Sequence, residues 1–168
     1  MTVDTIVEAP GWADALPDLD HVAETAARAA LLAEGHDPDR WEVCLLACDD
    51  ARIAALNAGF RGRAAPTNVL SWPAFDAVPP DPPSGSTHLG DLALALETTC
   101  AEARTASISL KDHATHLILH GCLHLLGHDH ETVDEAEEME ETERRILAGL
   151  GIADPYNQGD AREAHPDG

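Results

Sequence analysis

Aromatic residues make up only 4% of the chain, with one Tyr, two Phe and three Trp in 168 residues, so its core must be built mainly from aliphatic side chains and alanine. Basic residues are scarce too: ten Lys plus Arg against thirty-one Asp plus Glu leave a net charge of −21 with histidine neutral. A surface of that sign repels polyanions and anionic membranes as a whole, so any nucleic acid has to be met locally. No run of 18 apolar residues occurs, which leaves no candidate membrane span. Asp4 and Glu8 stand where a secretory signal needs a basic start and an apolar run. The four cysteines, Cys44, Cys48, Cys100 and Cys122, form no CxxC and lie in apolar or helical contexts. A disulfide framework is thereby excluded, and a reducing, cytoplasmic setting is expected. What the chain does have is 44% hydrophobic residues and ten histidines, six of them between positions 113 and 130.

Proline and glycine punctuate the rest. Residues 3–7 read as a short β-branched strand, and Pro10, Gly11 and Pro17 mark a break before an alanine-rich helix over 19–34 with Asp18 or Asp20 as its cap. Residues 41–48 form an apolar run of strand length, followed by a helix that Asp49 and Asp50 start and that Gly59 and Gly62 end. Short strands follow at 69–72 and 89–96, separated by a proline-rich loop. Helices are expected over 97–106, over 111–126 with Gly127 closing it, and over 133–150 with an acidic face. The pattern predicts an α+β fold: one domain over 1–155, a mixed sheet of about four strands with about five helices, and a frayed tail at 156–168.

The chemistry is concentrated in HGCLHLLGHDH, residues 120–130. His120 and His124 are four apart, so on a helix they lie about 40° apart on one face and one turn along the axis, within reach of one ion. Gly127 is the natural place for the chain to leave the helix in a left-handed conformation, which brings His128 or His130 round as a third ligand. Three histidines with an open fourth position describe a catalytic zinc, whereas a closed structural site wants a fourth Cys or His. The plainer reading, a histidine-rich face that binds stray metal, needs only an i, i+4 pair. The added glycine and third histidine repeat the spacing of the HExxHxxGxxH proteases. That comparison also removes the protease's base, because the residue after the first histidine is Gly121 rather than Glu. Asp129 reads as an acceptor that orients a ligating imidazole. Cys122 is offset by two from both His120 and His124 and reads as core.

Position by position, HGCLHLLGHDH resembles the metal signature of the YbeY-type endoribonucleases, also called rRNA maturation factors. FRGRAAPTNVLSWP (60–73) and GDLALA (90–95) extend the resemblance over about residues 47–130. The resemblance implies His120, His124 and His130 as ligands of one Zn2+ per chain, so that His128 is not a ligand and the metal site spans a central helix and the turn after it. It also implies a functional role for Arg61, read here as catalytic and, with Arg63, as substrate-binding. Arg63 stands where the family commonly has Lys, and Trp72 where Phe is more usual. The residues agree with this: positions 51–75 hold no Asp or Glu but carry Arg52, Arg61 and Arg63, and guanidinium forks bind phosphate oxygens bidentately. Taken alone, the segment reads first as an ordinary surface loop with two solvated arginines. Thr67, Asn68 and Ser71 read as residues that cap or turn a strand start, and Asp91 as a turn residue or an orienting acceptor. The run 129–143, nine carboxylates without Lys or Arg, reads as a solvated helix face.

The function expected is a zinc-dependent, single-strand-specific endoribonuclease acting in rRNA maturation and ribosome quality control. Its partners would be single-stranded RNA or rRNA and the ribosomal small subunit or its proteins, with neither membrane nor DNA. Arg61 would neutralise charge developing on a phosphorane-like transition state. Two alternatives stand beside it: a ribosome-assembly factor with a structural zinc, and an unusual zinc metallopeptidase, which Gly121 disfavours.

Overall fold

The computed structural model describes residues 2–61, 67–79, 87–128 and 132–156, apart from the side chains of Phe60 and Arg61. Strands β1 (Val3–Val7), β2 (Trp41–Cys48), β3 (Val69–Pro73) and β4 (Thr87–Ala95) form one sheet in the order β1-β2-β4-β3. The first two pairings are parallel and β3 runs antiparallel on β4, so the sheet is mixed, as the sequence pattern predicts. Helices α1 (Gly11–Ala15), α2 (Leu19–Ala33), α3 (Asp50–Arg61), α4 (Leu96–Ala106), α5 (Leu110–Leu125) and α6 (Val133–Gly149) complete the α+β fold. Two compact units, Met1–Gly127 and His128–Gly168, divide the chain. Among the described residues no helix is long and apolar enough to cross a membrane.

In the first unit, side chains alternate across the sheet as the pleat dictates. Leu92 of β4 faces Gly121 of α5, whereas Ala93 and Ala95 join Cys48, Leu70 and Ile53 in a cluster on the other face, against α3. With aromatics scarce, closeness replaces bulk. Helix α2 buries Ala23, Ala26, Ala27 and Ala30 along with Leu19, Val22 and Leu31, and the small alanines let neighbouring elements approach. It packs on β1 and on α5. Two glycines carry this to its limit. A Cβ on Gly121 would stand 2.7 Å from Leu92 Cδ2, and one on Gly90 would stand 2.6 Å from the Trp72 carbonyl oxygen and 2.5 Å from Leu125 Cδ2. Helix α5 therefore sits so close to β4 that a side chain at either position would force a neighbour to shift.

Three local expectations are corrected. The segment around Gly11, read as a break, forms α1, because Trp12 is fully buried and its indole N–H donates to the Cys48 carbonyl at 2.9 Å. One buried indole outweighs weak local propensity. Helix α3 runs through Gly59 to Arg61 rather than stopping near residue 58, since one interior glycine costs only about 1 kcal/mol and Ile53 and Asn57 anchor the helix by burial. Asp18 occupies the position before α2 without a side-chain cap bond. All four cysteines are free, and burial pushes the Cys122 thiol up to about 12.

In the second unit, α6 opens with a capping box in which Thr132 Oγ1 accepts from the Glu135 N–H and Glu135 Oε1 from the Thr132 N–H. Met139, Thr142, Glu143, Ile146 and Leu147 form its buried stripe, so the predicted acidic face is the opposite one. Tyr156 Oη donates to the buried Glu143 carboxylate at 2.5 Å. The expected tail from 157 onward, the Gly62 position and residues 80–86 of the proline-rich loop lie outside the described residues.

The glycine contacts set opposite expectations for two substitutions. Gly90→Ala lowers stability by roughly 1–3 kcal/mol, because part of what it meets is a backbone oxygen that cannot step aside. Gly59→Ala raises it by about 0.5–1 kcal/mol, since that position is open on the surface of α3. Urea unfolding midpoints of the two variants measure both.

Candidate functional site

Helix α5 is fixed first by its ends. Ser109 Oγ accepts from the Asp112 N–H at 3.0 Å and caps the start. Gly127, at φ +107°, takes the chain out beyond Leu126, as its position in the sequence predicts. Between them the buried face, including Ala114, Ile118, Cys122 and Leu125, holds the helix on the sheet. His113, His116, His120 and His124 form a second, half-buried stripe along one side.

Within that stripe His120 and His124 stand apart. Their Nε2 atoms lie 3.2 Å from each other, with ring centroids 4.7 Å apart and planes at 80°. Two Zn–N bonds of about 2.0–2.1 Å at a tetrahedral angle would place their nitrogens about 3.3–3.4 Å apart, close to the separation of this pair. Among the described residues no group of three or more His, Cys, Asp or Glu gathers as a metal site. The other expected contributors, His130, Asp129 and Arg63, lie outside those residues, and Arg61 is the last residue of α3 with its side chain outside them as well. His128 is half-buried and belongs to the second unit.

Gly121, the position that carries the base in a zinc protease, is closed by the packing itself, because Leu92 occupies the space a side chain would need. Asp91 is not a turn residue. It lies within β4, opposite Cys44 and Trp72, exposed and 3.3 Å from His88.

A polar cluster beside the stripe has no counterpart in the sequence reading. Glu102 of α4 accepts from His113 Nε2 at 2.8 Å and from Asn68 Nδ2 at 3.1 Å. Burial pulls its carboxyl up, but these two hydrogen bonds and the nearby His113 and His116 outweigh it, and the carboxyl ends below the ordinary glutamate range. A carboxylate adjoining the buried Ala103 on an otherwise ordinary helix was the one available signal. The start of α3 is fixed in a comparable way: Glu97 Oε1 accepts from the Asp50 N–H, while Asp50 accepts from the Thr98 N–H and Oγ1 at 3.0 and 2.7 Å. The two helix N-termini thus cap each other.

Because the folded Glu102 titrates below its unfolded value, its contribution is fully present above the ordinary glutamate pKa and is lost as pH falls through the folded one. Glu102→Gln is therefore expected to unfold at lower urea than the wild type at pH 7. The gap between the two should close as pH drops below about 4.3, which urea titrations across pH 3–7 would record.

The family pattern described as Endoribonuclease YbeY matches residues 13–151. A protein from Jannaschia sp. (strain CCS1) named Endoribonuclease YbeY is 51% identical over 163 residues, covering 93% of this chain and 100% of that protein. One of the same name from Paracoccus denitrificans is 50% identical over 160 residues, covering 92% and 89%, and one from Azorhizobium caulinodans is 49% identical, covering 93% and 96%. The solution structure of TM1509 from Thermotoga maritima shares the fold at 19% identity, with a TM-score of 0.52 and 99% of each chain covered. With the pattern covering β2 to β4 and α2 to α6, and relatives at half identity along nearly the whole length, the chain belongs to the endoribonuclease YbeY family.

Proposed function

We propose that this protein is a metal-dependent endoribonuclease that cuts single-stranded RNA, with one zinc held by His120, His124 and His130, and that it acts in rRNA maturation and ribosome quality control in the cytoplasm. The observation that carries the reading is the pair of Nε2 atoms 3.2 Å apart at the end of a rigid helix, inside a segment whose glycine turn and third histidine complete a ligand spacing. When bound, zinc supplies a Lewis acid that acidifies water and polarises a phosphoryl oxygen.

The chain's own residues supply the rest. His120 and His124 present their nitrogens from α5 without needing the metal to order the helix, because the opposite face is already buried. Asp129 is the acceptor proposed to orient a ligating imidazole. Arg61, and Arg63 two residues on, would clamp phosphate oxygens and offset charge that develops in the transition state. They stand in the stretch 51–75 that lacks carboxylates altogether. With the chain as a whole at −21, RNA contact would be confined in area, which favours a flexible single strand over a broad duplex. Ribosomal small-subunit RNA and proteins are the partners this reading implies.

Cleavage of an unstructured RNA by the zinc-loaded wild type beside an identically purified His124→Ala variant is the first test, with circular dichroism to verify both folds. The wild type should cut and chelator should stop it, while His124→Ala falls to the chelated level and Arg61→Ala loses about 10²-fold. Equal cutting by wild type and His124→Ala would remove the metal-dependent reading. Fragment ends then bear on the nucleophile: a 2′,3′-cyclic phosphate marks attack by the ribose 2′-OH, and a 5′-phosphate marks attack by water.

Chelation should also leave a cooperative thermal melt in place. A structural zinc contributes on the order of 10 kcal/mol to folding, so a chelated chain that melts like a denatured one would put the assembly-factor alternative first.

A further inference from the structure

We propose that Glu102 is a positioning residue for this site, joining the histidine helix to the start of β3 and orienting His120 through a ladder of imidazole rings. The inference rests on the ribonuclease reading for its consequence and on the first unit's geometry for its substance. An ionised carboxylate can only accept, so His113 Nε2–H must donate to Glu102. That bond fixes the tautomer. The Nδ1 of His113 is buried with no hydrogen-bond partner among the described residues, so the ring's polar hold is the bond to Glu102. From His113 the rings continue edge to face, with centroids 6.2 Å apart to His116, 6.4 Å from His116 to His120, and 4.7 Å from His120 to His124. Such spacings lie within the range of interacting aromatic rings. Turning His113 therefore disturbs the packing that sets His120.

The other side of Glu102 leads to the arginine segment. Asn68 Nδ2 donates to Oε1 at 3.1 Å and lies 3.4 Å from Oε2. Its carbonyl accepts from the Ala95 N–H at 2.9 Å, and its Oδ1 accepts from the Val69 N–H at 2.7 Å. The residue pinned in this way follows Arg61 by seven positions and Arg63 by five. One carboxylate thus ties the element that presents the proposed ligands to the residue at which the arginine segment enters the sheet. Its depressed titration agrees with a group held in its charged, accepting form.

The test compares Glu102→Ala, Glu102→Gln and Asn68→Ala in the full-length chain. Orienting partners of metal-ligating histidines are worth about 10- to 100-fold. Glu102→Ala is therefore expected to lower kcat on single-stranded RNA at least tenfold with KM within about twofold. Glu102→Gln keeps an acceptor oxygen for both donors and should restore kcat to within about threefold, and Asn68→Ala should lower it in the same direction. The second readout is the imidazole nitrogen spectrum of the metal-free chain: Glu102→Ala should abolish the hydrogen-bonded His113 Nε2–H resonance and shift the signals of His116 and His120. Wild-type kcat in Glu102→Ala, an unmoved His120, or equal losses in the Ala and Gln variants would each overturn the proposal. If the wild type cuts no RNA, the ribonuclease reading falls, and the spectra still decide whether Glu102 orients the ladder.

Discussion

Helix α5 approaches β4 so closely that both sides of the contact have given up a side chain, Gly121 on the helix opposite Leu92 and Gly90 on the strand opposite Leu125. The rest of the first unit follows from that seating. It holds one face of α5 immobile against the sheet, and a helix fixed on one face points its other stripe in a fixed direction. The stripe is the row of four histidines, and the last two of them converge at their Nε2 atoms. In a chain with few aromatics, the close approach of small residues also does what bulky rings do elsewhere, since packing density rather than residue size sets dispersion and burial energy.

Charge distribution imposes a second constraint. Thirty-one carboxylates would make RNA binding unfavourable wherever they face the ligand, yet residues 51–75 contain none. The reciprocal bonds among Asp50, Glu97 and Thr98 mark the start of that stretch, where two carboxylates are spent on joining the N-termini of α3 and α4. The Glu102 carboxylate is likewise occupied by donors from two other elements. Asp50, Glu97 and Glu102 are thus engaged in holding the scaffold. Phosphate contacts limited to a few guanidinium groups would give binding a salt dependence in proportion to their small number.

Features carried by local periodicity were legible in the sequence. β1 and β2 fall at the expected residues, α5 ends at the expected glycine, and the i, i+4 histidines meet as helical geometry requires. What was not legible depends on partners distant in sequence. Helix α1 exists because Trp12 finds the carbonyl of Cys48, 36 residues away, and no local pattern encodes that meeting. Gly59 looked like a stop because its cost is local, while the burial of Ile53 and Asn57 that overrides it is not. Glu102 read as one more helical carboxylate, since its donors come from a strand start 34 residues before it and a helix 11 residues after it. Of the expected site residues, His120 and His124 have described side chains. Arg61 contributes only its backbone position, and Arg63, Asp129 and His130 lie outside the described residues.

The glycine at position 121 also bears on which chemistry the fold can support. In a zinc protease a glutamate one residue after the first ligand moves the proton of the attacking water. Here that position lies under Leu92, and a side chain there would have to displace the contact that seats the helix. A side chain at 121 would have to push the Leu92 side chain aside, so the packing disfavours a base at that position. A reaction that needs a carboxylate at that point, as amide hydrolysis does in the proteases, is therefore poorly served. Phosphodiester cleavage makes a different demand: charge spreads over phosphoryl oxygens and is met by cations, and RNA carries its own nucleophile in the ribose 2′-OH. A metal with guanidinium partners suits that demand without a side chain at 121, and so the packing constraint and the proposed substrate point the same way.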